Sequence, residues 1–189
     1  MNGMRRLLLP LVLALVLAPT AGAAGGRYVF DGGTHAEQGQ VASALNASSF
    51  DWSIVPGRVV VHIRPNVGAA ASPGEIWLDS SLLDSGRFSW GVVLHEYAHL
   101  VDFGVLTDAQ RARLAAVLGG SAGWFGAVAD HSQLGSERFA DLLAWSYWQS
   151  ADNVMRPAGS VSAGTFRGLL ASVLGSRALA SAQPARQKG

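Results

Sequence analysis

An α+β fold, with a small antiparallel or mixed sheet packed on helices, is what this 189-residue chain predicts. Three observations carry that expectation. Two short runs, Arg58-Val59-Val60-Val61-His62-Ile63 and Glu75-Ile76-Trp77-Leu78-Asp79, are rich in β-branched or alternating apolar residues. Several longer segments bear helix caps and apolar residues at helical spacing. The length suits one globular core, since a domain takes roughly 150 residues.

The chain begins with Met1 to Ala23, in which Arg5 and Arg6 precede an apolar run from Leu7 to Ala18 and then small residues Thr20-Ala21-Gly22-Ala23. This three-part pattern predicts a cleaved signal peptide over 1–23 and a secreted or extracytoplasmic protein. The run is broken by Pro10 and Pro19 and falls short of the about 20 apolar residues that a span needs, so no stable membrane insertion is expected after cleavage. The expected organisation is a leader, one domain over 24–175 and a flexible tail over 176–189.

In order along the domain, Thr34 and Glu37 have capping-box spacing, and a helix follows to about Asn46. The first strand runs over 58–63 and stops at Pro65. Residues 67–74 are small and read as a loop, and 75–79 reads as the second strand, antiparallel to the first. Leu82 to Gly86 reads as a helical turn. Ser89 is positioned to cap a helix from Trp90 to about Phe103, ended by Gly104. Thr107 or Asp108 caps the next, through Leu118. Ser136 is positioned to cap a fourth from Glu137 to about Gln149, and 166–174 closes the domain with a short helix.

Composition removes several kinds of function. The chain has no cysteine, which excludes a disulfide scaffold, cysteine-based zinc and iron–sulfur sites and a thiol protease. Net charge is +1 from 14 basic and 13 acidic residues; without Arg5 and Arg6 it becomes −1, so no nucleic-acid partner is expected. A monomer is expected.

The chemistry concentrates in His95-Glu96-Tyr97-Ala98-His99, inside the second predicted helix. Histidines at i and i+4 lie one above the other on a helix face, so both imidazoles can reach one metal ion. Glu96 is placed to take a proton from water that the metal acidifies. The helix is apolar almost all round, with Val93, Leu94, Leu100 and Val101 among the flanking residues. Such a helix is buried, and unpaired histidines and a glutamate would be costly there.

Catalytic zinc takes three protein ligands and keeps one open position. A histidine six residues after His99 is absent, because position 105 is Val105. Of four glutamates, Glu37 caps a helix, Glu75 lies in a strand and Glu96 is the expected base, which leaves Glu137 as the candidate third ligand. Asp141 lies one turn further and is placed to accept from the outer nitrogen of a ligand histidine. Asp102 is expected to contact His99 or nearby backbone, since a helix-end acid opposes the dipole and calls for another role.

HEYAH at 95–99 and ERFAD at 137–141 resemble the motifs of zincin-type metallopeptidases of the glutamate-ligand group, the gluzincins. The resemblance covers roughly residues 58–150. It implies one zinc per chain held by His95, His99 and Glu137, with Glu96 as general base and Asp141 behind a ligand histidine. It also implies hydrolysis of a peptide or protein substrate, bound in extended form at a strand edge, for which 75–79 is the candidate. Such enzymes face the polarised carbonyl with a Tyr or His; His131 is favoured over Tyr147. The same site is compatible with a zinc amidase acting on cell-wall peptide or with a zinc-bound module without turnover. A metal-free envelope protein is the remaining reading.

Overall fold

A computed structural model describes residues 26–128, 130–156 and 159–175; the expected leader and tail lie outside the described residues. The architecture is α+β: a four-stranded mixed sheet packs against several helices. The strands are β1 (Tyr28–Gly32), β2 (Val59–Arg64), β3 (Ala70–Ser72) and β4 (Glu75–Asp79), in the spatial order β1-β2-β4-β3. The helices are α1 (His35–Ala47), the one-turn α2 (Ser80–Leu83), α3 (Trp90–Val105), α4 (Asp108–Leu118), α5 (Gly135–Tyr147) and α6 (Ala163–Leu174).

Alternation along the strands sets the two sheet faces. Val59, Val61, Ile63, Ile76 and Leu78 are buried, while His62, Arg64, Glu75 and Trp77 point to the other, partly exposed face. The buried side meets α3, which also packs against α1 and α5 and is the central helix of the core. Fully buried Trp52, Tyr97, Phe139 and Phe166 fill the remaining space.

The expected antiparallel pairing of 58–63 with 75–79 is corrected. β2 and β4 are parallel, with Val60 opposite Glu75. The reason is a third strand inside the segment read as a loop: β3 runs antiparallel to β4, Ala70 opposite Trp77, so the chain reverses twice. Gly74 closes that reversal at φ 84°, a left-handed conformation that glycine adopts without steric cost. β1, not anticipated, joins β2 in parallel, and α1 supplies the crossover that parallel strands require.

Helix ends follow their local chemistry where caps exist. Thr34 Oγ1 accepts from Glu37 N at 3.3 Å, and Thr34 N donates to Glu37 Oε2 at 2.6 Å. Thr107 and Gln110 form the same box on α4. Ser89 and Ser136 do not cap. Ser89 ends a 3-10 turn (Gly86–Ser89) that runs straight into α3. Ser136 is a buried residue inside α5, which starts one residue earlier, at Gly135. Gly104 does not end α3, which continues to Val105. Among the described residues no helix is long and apolar enough to cross a membrane.

Candidate metal centre

α3 presents His95 and His99 one turn apart, and the first turn of α5 presents Glu137 to the same point. His95 Nε2 and His99 Nε2 are 3.1 Å apart. Glu137 Oε2 lies 3.2 Å from His95 Nε2, and Oε1 lies 3.5 Å from His99 Nε2. One ligand atom from each residue lies within 4.8 Å of the others, so this His/His/Glu group could hold a metal ion. Four-coordinate zinc with bonds of about 2.0–2.1 Å separates its ligand atoms by about 3.3 Å.

The second nitrogen of His95 is also accounted for. Asp141 Oδ1 lies 2.8 Å from Nδ1. A carboxylate there accepts the Nδ1 proton and turns the Nε2 lone pair towards His99 and Glu137. Two imidazole nitrogens facing each other at 3.1 Å repel unless a proton or a cation lies between them.

The electrostatics of the cluster favour positive charge on His95 and negative charge on Glu137. Burial opposes charging of His95, but the hydrogen bonds with Asp141 and Glu137 overcome it and push its pKa up to about 10. Burial also works to raise Glu137, yet the hydrogen bonds with His95 and His99 hold it well below the usual carboxylate range. Glu96 moves the other way. Burial raises its pKa, the two histidine charges only partly offset that, and Glu137 adds to it. Adjacent carboxylates on one site are thus driven apart, one held as an anion and one made more basic.

A cavity of about 390 Å³ opens over the triad. His95, Glu96, His99 and Glu137 line it, and so does His131, from a 3-10 turn over His131–Gln133. Tyr147 does not; it is buried edge-on against Phe50. Asp102 is fully buried, and its carboxylate bonds Arg111 and Trp124 rather than His99. His62 lies on the open sheet face, hydrogen-bonded to Asp31 and stacked on Trp77.

Three features of the site were not foreseen. Ala69, Ala70 and Ala71 form one wall, so β3 is the sheet edge beside the triad. The expected edge strand over 75–79 is therefore corrected: β4 lies between β2, which pairs its whole length, and β3, which pairs Glu75 to Trp77. Alanine has little β propensity, and a three-residue strand leaves no periodicity to read. Opposite, Phe103 stacks on His99 with centroids 6.0 Å apart, and Phe125 stacks on Phe103 at 6.3 Å. Phe103 lies four residues after His99, a spacing that signals a shared helix face; Phe125 carries no such signal.

Compared with protein-family models, with curated proteins and with solved structures, the chain matches none of them. The largely buried triad on two helices, in which His99 is buried and His95 and Glu137 are partly buried, fits a metal site of the HExxH type.

Proposed function

We propose that the protein is a secreted zinc-dependent endopeptidase of the gluzincin type. The observation that carries this reading is the convergence of His95, His99 and Glu137 in a cavity that Glu96 also lines. The donor set is that of catalytic rather than closed structural zinc, which favours four protein ligands. When bound, zinc supplies Lewis-acid polarisation of the scissile carbonyl and acidifies water at neutral pH.

The chain's own residues supply the proton transfers. Glu96, made more basic by burial, takes a proton as water adds to the carbonyl carbon. As the C–N bond breaks, Glu96 returns that proton to the departing amine. Asp141 fixes the His95 ring through Nδ1. His131, on the cavity wall, is the residue we assign to donate to the carbonyl oxygen as negative charge develops. The edge of β3 offers unpaired backbone groups to which an extended peptide can add as a further strand.

The test is metal analysis together with a peptide-library digest of wild type and Glu96→Ala. About one zinc per chain is expected in both. Cleavage is expected to fall at least about a hundredfold in the variant, the scale of a lost general base. Undiminished cleavage in Glu96→Ala would overturn the base assignment. Zinc bound without cleavage of any peptide would leave a binding module, and cleavage confined to cell-wall peptide would redirect the reading to an amidase.

A further inference from the structure

Asp102 is a carboxylate with no exposed surface, in the last turn of the helix that carries both histidines. A buried charge is retained at a cost unless it is fully paired. Of its two side-chain partners, Arg111 pairs the charge and Trp124 leads towards Glu137. Arg111 Nε donates to Asp102 Oδ1 at 2.7 Å, and Trp124 Nε1 donates to the carboxylate at 2.9 Å to Oδ2 and 3.1 Å to Oδ1. Arg111 Nη2 donates to the Asp102 carbonyl at 2.6 Å, and its guanidinium lies 5.3 Å from the Phe125 ring centroid.

Trp124 in turn holds the start of α5. That helix has no side-chain cap, because its N-cap residue is Leu134. Its first amides are satisfied by the preceding loop instead: Gly135 N donates to Gly123 O at 2.8 Å, and Ser136 N donates to Trp124 O at 3.1 Å. The indole rests directly on the backbone there, since a Cβ at Gly135 would sit 2.7 Å from a Trp124 ring carbon. Glu137 is the next residue after this pair.

We infer that Asp102 is a positioning residue for the metal centre: through Trp124 it fixes the first turn of α5, and so sets where Glu137 stands relative to His95 and His99. The inference rests on the metal-site reading. The Asp102 carboxylate hydrogen-bonds Arg111 and Trp124 rather than any of the three ligands, and acts through the loop that caps the ligand-bearing helix. Replacement by asparagine keeps the shape and one acceptor, but it removes the charge and, with its oxygen on Arg111, sets an amide N–H against Trp124 Nε1, which weakens the hold on the indole.

A double-mutant cycle on zinc affinity tests this. Calorimetric titration with zinc alone compares wild type, Asp102→Asn, Glu137→Gln and the double variant, with the melting temperature and circular dichroism of each metal-free form alongside. Asp102→Asn is expected to weaken zinc binding by about tenfold, at the lower end for residues that orient ligands. In the Glu137→Gln background the same change is expected to cost nothing further, because the ligand it positions is gone. An equal loss in both backgrounds would make Asp102 a structural residue and overturn the inference. Unchanged affinity in Asp102→Asn would do the same while the metal centre stood. Failure of wild type to bind zinc would sink the metal centre first, and the positioning role with it. If Asp102→Asn does not fold, Trp124→Phe removes the same hydrogen bond from the other end and carries the identical cycle.

Discussion

Asp141 lies 2.8 Å from His95 Nδ1, and that contact turns the other nitrogen towards His99 and Glu137. Asp141→Asn is expected to lower zinc affinity by about 10–100-fold while the fold survives, measured by competition with a chelating dye. Glu137→Gln is expected to lose more, because it removes a ligand charge rather than an orienting contact. The open sheet face carries a separate charged cluster. Arg64 and His62 both hydrogen-bond Asp31, Glu75 lies 3.4 Å from the far nitrogen of His62, and the pairing with Arg64 and then His62 lowers the Asp31 pKa. A carboxyl lowered on folding stabilises the protein above its unfolded pKa of about 3.9 and loses that stabilisation as pH falls through the folded value. The difference in melting temperature between wild type and Asp31→Asn is therefore expected near neutrality and is expected to vanish in strong acid. A gap that persists at acid pH would contradict the assignment.

Among the elements, α1 and α4 begin where their sequences say they should, because Thr34/Glu37 and Thr107/Gln110 satisfy the first amides within four residues. Thr34→Ala is expected to cost about 1 kcal/mol of stability in denaturant unfolding. α5 differs: a leucine at its cap and loop carbonyls at its first amides make its start a tertiary feature. Gly135→Ala is accordingly expected to push the indole off the backbone, lowering both the melting temperature and zinc affinity. Thr34→Ala, remote in sequence and on another helix, is expected to lower only the former.

For the molecule as a whole, the candidate metal site draws its residues from α3 and α5, so an ion bound there would oppose their separation. Ligation of the native state alone stabilises by about 4 kcal/mol when zinc stands a thousandfold above its dissociation constant. At about 2–4 °C per kcal/mol for a domain of this size, chelator treatment is expected to lower the melting temperature by about 10 °C. No change on chelation would count against a metal that binds both helices. The HExxH helix, the identity of Glu137 and Asp141 as partners and the α+β class were legible in the sequence by itself, because each rests on spacing within one helix or on a scarce residue type. His131 could be nominated, but only the folded chain brought it to the cavity wall. The parallel pairing of β2 with β4, the edge position of the alanine strand and the partners of Asp102 were decided by tertiary structure alone. The physical reason is range. Helical spacing and caps act over three or four residues and leave a pattern in the chain. Strand order, and the hydrogen bond that carries Trp124 across 22 positions to Asp102, depend on which surfaces meet when the core closes.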